Sequence, residues 1–256
     1  MKTLKKLSTA LGLTCLMLGT FISIGTTSNR MKAHAFIPLE ISYGSIANAQ
    51  QYVPPNRGSR PQRTEGSGAR GCTNSIPASL NLLIPKDHIA RTINARPTFL
   101  WQVSAATSAP MVFTLTEARS RQPMFQKRLK ADKAGIVRLE LPQEAPEMAV
   151  GKEYRWTVAL VCNEKRPSEN INARAWIERV DNTPELTKKL AAASSDRDRA
   201  LIYAKSGMWY DAMAILNKLQ TTNPTERTQA MDSFISLLEQ VGLNQVATVE
   251  RQRRTN

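Results

Sequence analysis

Between residues 72 and about 180 the apolar residues alternate with polar ones in short runs broken by Pro and Gly, the period-two pattern of strands that bury one face. Phe99, Trp101 and Val103 share one side of a strand, and Phe113 and Leu115 share one side of the next. Val137, Leu139 and Leu141 do the same in a third, which stops at Pro142. The longest alternation lies between Gly151 and Cys162, where Tyr154, Trp156, Val158, Leu160 and Cys162 all point one way. After Val180 the period changes from two to 3.6. Thr183-Pro184-Glu185 predicts a helix start, with a hydroxyl cap and Pro at the first helical position. Ser195-Asp196-Arg197-Asp198 predicts a second by its capping box. Residues 208–219 place Trp209, Ala212, Met213, Leu216 and Leu219 on one stripe. Asn223-Pro224-Thr225-Glu226 opens a further segment whose stripe of Met231, Phe234, Ile235, Leu238 and Val241 ends at Gly242. Residues 244–256 read as a polar tail.

Several short strands in about 110 residues predict a β-sandwich over residues 72–180. A small helical unit follows over residues 181–243, so the fold class is α+β with the two kinds of element in separate parts. The phrases Pro97-Thr98-Phe99-Leu100-Trp101, Leu141-Pro142 and Gly151 to Tyr154, Trp156 and Val158 resemble a fibronectin type III or immunoglobulin-like module. That resemblance implies a corner tied down by the hydroxyl of Tyr154. Tyr203, Gly207, Ala212 and Pro224 recur at the intervals of a tetratricopeptide-like helix pair. One such unit cannot form a solenoid, and a plain helical bundle fits the same pattern.

The N-terminus changes the picture of where the protein works. Lys2, Lys5 and Lys6 precede a run from residue 7 to 25 that has no charge and many Leu, Ile, Met and Phe. This order is a secretory signal, with a basic segment followed by an apolar one. An uncleaved N-terminal membrane anchor is the alternative. Small-residue cleavage sites end at Ala35 and Ala49. The second lies just before the composition changes, so residues 1–49 are assigned to the signal. Residues 50–71 are rich in Pro, Gly and Arg with almost nothing to bury, and read as a flexible basic leader. The expected location is periplasmic, outer-envelope or secreted.

Export also narrows the chemistry. Cys15 leaves with the signal, and Cys72 and Cys162 remain as one potential disulfide in an oxidising compartment, two unrelated buried thiols being the alternative. His88 is the one histidine left, in a loop where a solvated side chain is expected. Catalysis by a Ser-His-Asp or Cys-His arrangement would have to use it, and a zinc site is not expected. No catalytic elbow, phosphate loop or dinucleotide fingerprint occurs, so no cofactor is expected. A pair of carboxylates meeting in space remains open as a hydrolase reading.

The formal charge of +14 falls to +10 after removal of the signal. Of this, +3 belongs to the leader, +6 to residues 72–180 and +1 to the rest. Arg119, Arg121, Lys127, Arg128, Lys130 and Lys133 cluster between two strands as a candidate basic ridge for anionic glycans or lipid headgroups. The competing reading is a solvated hairpin edge whose charges block aggregation. Nucleic acid is not an expected partner of an exported protein. Of Trp101, Trp156, Trp176 and Trp209, three stand at core periodicity. Trp209 and Tyr210, if left partly exposed on their stripe, form a candidate protein-binding surface.

Taken in order, Gly71-Cys72, residues 96–101, Gly135-Ile136-Val137-Arg138-Leu139, residues 151–156, residues 175–180 and residues 207–212 resemble an exported cyanobacterial family known as a domain of unknown function, number nine-two-eight. The resemblance spans residues 71 to about 243. It implies a cyanobacterial source and an envelope location, and carries over no activity or site residues. The expectation is a non-enzymatic envelope or secreted protein-interaction module. An electrostatic binder of acidic surfaces is the alternative, and a carboxylate hydrolase the second alternative.

Overall fold

Nine strands and five α-helices form in a computed structural model that describes residues 52–55, 62–66, 78–222, 224 and 226–255. The apolar N-terminal run, both cleavage sites and Cys72 lie outside the described residues.

The strands are β1 (Glu65–Gly66), β2 (Leu80–Leu82), β3 (Ala90–Thr92), β4 (Thr98–Val103), β5 (Thr107–Glu117), β6 (Phe125–Ala131), β7 (Gly135–Glu140), β8 (Glu153–Leu160) and β9 (Ile171–Arg179). They form a four-stranded sheet in the order β1-β2-β4-β7 and a five-stranded sheet in the order β3-β9-β8-β5-β6. Every pairing is antiparallel except β3 with β9. The protein is therefore α+β, built on a sheet-rich part.

The two sheets meet through aromatic rings. Phe99 of β4 lies 4.9 Å from Phe113 of β5 and 5.1 Å from Trp156 of β8, centroid to centroid. These are the side chains that the alternation places inward, and all three are fully buried. The alternate residues of β4, namely Thr98, Leu100 and Gln102, are buried too. Helix α3 (Trp209–Thr222) packs against that side of β4, and Arg138 of the neighbouring β7 donates to the carbonyl of Ala214. One sheet is thus covered on both faces. Among the described residues, no helix packs against the outer face of β5, β6, β8 and β9.

Helix starts follow their caps. Thr183 accepts from the Leu186 amide at the head of α1 (Pro184–Ala191), and Ser195 accepts from the Asp198 amide at the head of α2 (Asp196–Lys205). Gly207 at φ +79° and Gly242 at φ +77° end α2 and α4 (Arg227–Gln240) in the left-handed region that a side chain disfavours.

Three expectations are corrected. Residues 244–256 are not simply a polar tail: α5 spans Asn244–Thr255 and buries Val246 and Ala247. Its apolar face is short, which hid the helical period. The described parts of residues 50–71 are packed. Glu65 and Gly66 pair with β2, Arg63 bridges to Arg174, and Tyr52 is buried. Pro-rich composition conceals this because a single aromatic anchors the segment. His88 is buried rather than solvated: its Nε2 meets the Tyr52 hydroxyl at 2.7 Å and its Nδ1 meets Asp87 at 2.7 Å.

Candidate functional site

The open face of the five-stranded sheet, on which no helix packs among the described residues, is built by the residues that alternate with the core set. In β8 these are Arg155, Thr157 and Ala159, in β9 Asn172, Arg174 and Trp176, in β5 Val112, Thr114 and Thr116, and in β6 Gln126, Arg128 and Lys130. Register aligns them in rows. One row runs Gln126, Thr114, Thr157, Arg174; the next runs Arg128, Val112, Ala159, Asn172; and Arg155 stands opposite Trp176.

Arg63 extends the first row. It exchanges both backbone hydrogen bonds with Arg174, at 3.1 and 2.7 Å, so the two arginines are direct cross-strand neighbours. Both side chains are exposed, as are those of Arg155, Arg128 and Lys130. Among the described residues, Arg63, Arg155, Arg174 and Lys130 form no ion pair, while Arg128 pairs with Glu164 at 2.5 Å on the exposed surface, where such a pair contributes little. Like charges directly opposite on a sheet destabilise it. Gly66 permits the approach that creates this pair: a Cβ there would stand 3.0 Å from the Asn172 backbone.

The hairpin ridge is only partly gathered. All six of its residues are exposed, but they point to different places. Arg128 and Lys130 belong to the open face, Lys127 to the opposite side of β6, Arg119 and Arg121 to the β5–β6 turn, and Lys133 to the β6–β7 turn at the other end. Arg119 takes φ +69°. Arg63, Arg155 and Arg174 were missing from the ridge because they are far apart in sequence. Alternation marks the last two as solvent-facing, and no local signal pairs Arg63 with β9.

Where the open face meets β3, a cleft of about 270 Å³ collects Glu117, Glu153 and Glu178. Glu153 and Glu178 are opposite each other across β8 and β9. Glu178 is bound by Arg91 at 2.8 Å and Glu117 by Lys152 at 3.2 Å.

Trp209 and Tyr210 do not form a surface. Trp209 is fully buried and Tyr210 is 3% exposed. The Trp209 indole donates to the Leu83 carbonyl at 2.8 Å, and its ring meets Tyr52 edge-on. Tyr210 enters the sheet core, where its ring lies 5.9 Å from Phe99. Burial drives its hydroxyl above the ordinary tyrosine range, against the Trp156 hydrogen bond. The stripe is apolar because it packs on the sheets.

Next to it, Asp211 of α3 accepts from the Thr92 hydroxyl at 3.1 Å and the Ile93 amide at 3.2 Å. Burial pushes its carboxyl up to about 6, against the pull of those hydrogen bonds. It lines a cleft of about 130 Å³ with Tyr203 and Thr98. Burial, and then the charge of Asp211, raise the Tyr203 hydroxyl.

Among the described residues no group of three or more His, Cys, Asp or Glu is placed to hold a metal ion, and no helix is long and apolar enough to cross a membrane. Cys162 follows β8, half-buried against the core.

The family profile described as Domain of Unknown Function (DUF928) matches residues 65–251. The chain belongs to the DUF928 family. The match takes in all nine strands and all but the last turn of α5, so the DUF928 unit includes β1, the row from Gln126 to Arg174 and the helices, while Arg63 lies two residues before it. No curated protein matches this DUF928 chain. Among solved structures it is similar to one described as "Structure of Astrotactin-2, a conserved vertebrate-specific and perforin-like membrane protein involved in neuronal development". That likeness has 8% identity and a TM-score of 0.27, and covers 72% of this chain and 38% of the other.

Proposed function

We propose that the protein is a non-enzymatic binding module, exported to the cell envelope or beyond, that engages an anionic glycan or lipid surface through the open face of its five-stranded sheet. The observation that carries this reading is the Arg63 and Arg174 pair. Two exposed arginines directly opposite across the backbone pairing, with no ion pair among the described residues, cost stability, and an anion bridging them would offset that cost. Arg155, Arg128 and Lys130 extend the same field.

Export rests on the basic and apolar order of residues 1–25, and the cyanobacterial envelope on the family resemblance. We read the sheets as an immunoglobulin-like sandwich. Support comes from the parallel β3 and β9 pair, which divides the early strands between the two sheets, and from Tyr154, whose hydroxyl accepts from the Ala149 amide at 2.7 Å. The α2 and α3 hairpin is read as tetratricopeptide-like, on the Gly207 turn and the fully buried Ala212. Cys72 and Cys162 are proposed to join as a disulfide.

The test is adsorption of the mature chain to dextran sulfate and to vesicles containing phosphatidylglycerol, over a range of salt. Binding to at least one, weakening steeply with salt, is expected. Retention of full binding when Arg63, Arg128, Arg155 and Arg174 are all changed to Gln would sink the reading.

A second reading draws on the carboxylate cleft. Glu153 and Glu178 are cross-strand neighbours at the end of the same face, the placement a carboxylate hydrolase needs if both groups reach one bond. Assay of the purified chain on acidic glycans, beside Glu153→Gln and Glu178→Gln, decides it: turnover lost in both variants supports hydrolysis, and no turnover removes it.

A further inference from the structure

The open face presents more than charge. Along its first row, Gln126, Thr114 and Thr157 place an amide and two hydroxyls in line with Arg174 and Arg63. Strand spacing makes that row about 19 Å long. The adjoining row has a cation at one end, Arg128, and an amide at the other, Asn172, with the small side chains of Val112 and Ala159 between them. Phosphate headgroups would need the cations alone. A run of an amide and two hydroxyls that ends in a pair of arginines matches a chain that carries hydroxyls beside carboxylate or sulfate.

Shape points the same way. Each strand is rotated by about 20° relative to its neighbour, so three steps from β6 to β9 turn the face by roughly 60°. A planar bilayer touching Arg128 would rise away from Arg174 and Arg63, whereas a polymer can follow the twist. The exposed large apolar side chains among the described residues are Val53, Val150 and Val249, and none stands on this face. Val112 and Trp176, the larger apolar side chains on this face, are half-buried, so adhesion to lipid would depend mainly on charge.

We infer that the open face of the five-stranded sheet binds a linear acidic polysaccharide laid across the strands, along the row from Gln126 to Arg63. This rests on the anionic-surface reading above and narrows it to one kind of ligand. Thr157 at the middle of the row, half-buried and neutral, becomes a specificity residue: its hydroxyl bonds the polymer and contributes nothing to attraction by charge.

The experiment compares the full mature chain on polygalacturonate, on dextran sulfate and on vesicles of phosphatidylcholine with phosphatidylglycerol, using wild type, Arg174→Gln and Thr157→Val. Thr157→Val keeps a β-branched side chain of the same shape in the strand, so folding is retained. At least one polysaccharide should bind, with affinity rising with oligomer length until the chain spans the row. Arg174→Gln should weaken it about tenfold and Thr157→Val about threefold, as expected for a charged and a neutral hydrogen bond respectively. Binding to vesicles but to neither polysaccharide would overturn the inference and leave the anionic-surface reading standing. So would polysaccharide binding indifferent to Thr157→Val. Binding to none of the three probes would overturn both.

Discussion

The indole N–H of Trp156 donates to the hydroxyl of Tyr210 across 2.8 Å, joining the middle strand of the five-stranded sheet to the first turn of α3. Both residues are buried, so the bond replaces water that neither group can reach. Tyr210→Phe keeps the ring and removes the acceptor, leaving the indole N–H unsatisfied. A loss of roughly 1–3 kcal/mol is expected, read as a lower urea midpoint with unchanged slope. A variant as stable as wild type would show that the helix does not rely on this bond.

Asp211 should make stability fall as pH rises. Its carboxyl sits at about 6 in the fold against 3.8 as the ordinary value, so the native state holds the proton more tightly than the unfolded chain. Its contribution is fully present below about 4 and is lost as pH passes through 6, by roughly 1–3 kcal/mol. Asp211→Asn cannot ionise. The difference in stability between wild type and variant, followed by denaturation from pH 4 to 8, should carry that slope, and a flat difference would contradict it.

Tyr52 anchors the N-terminal strap. Its ring packs edge-on against Trp209, its hydroxyl meets His88, and its amide donates to Gln240 of α4 at 2.8 Å. Tyr52→Ala should cost roughly 3–5 kcal/mol, in the range of other buried aromatics. Protease cutting within residues 52–66 should speed up well before the sheets unfold.

Gly207 is required twice over. Its φ of +79° disfavours a side chain, and a Cβ would stand 3.1 Å from the Val53 carbonyl. Gly207→Ala is expected to destabilise by about 1–2 kcal/mol. Hydrogen exchange at the Val53 amide, which bonds the Ala204 carbonyl at 3.2 Å, should accelerate most. Equal acceleration throughout α2 and α3 would argue for a general loss of helix stability.

The proposed Cys72 to Cys162 disulfide closes a loop of about ninety residues, worth roughly 4–5 kcal/mol on chain-entropy grounds. Intact mass of the exported chain should rise by two hydrogens on reduction. The same measurement identifies the cleavage site. Alkylation of both cysteines without prior reduction would exclude the bond.

Much of the secondary structure was legible because it is decided locally. Alternation at Phe99, Trp101 and Val103 and at Tyr154, Trp156 and Val158 fixes which side of each strand is buried. Hydroxyl caps at Thr183 and Ser195 set two helix starts, since orphan amides must be satisfied within a turn. What failed was the reading of partners. The stripe containing Trp209 and Tyr210 is visible in the sequence, but apolar periodicity says only that a face is covered, not by what. Tyr52 escaped notice because one aromatic in a Pro-rich stretch makes no pattern, and α5 because it buries too few residues to show a period.

The same division holds for the candidate site. By itself the sequence determined four of the strands, the first four helices, the basic excess outside the helices and the solvent-facing side of β8, since each follows from a period or a composition. Only the tertiary structure decided that Arg63 would lie beside Arg174 and that Trp209 and Tyr210 would vanish into the core. Both outcomes depend on contacts between residues dozens of positions apart, and there the free energy belongs to the pair and is written in neither residue's neighbourhood.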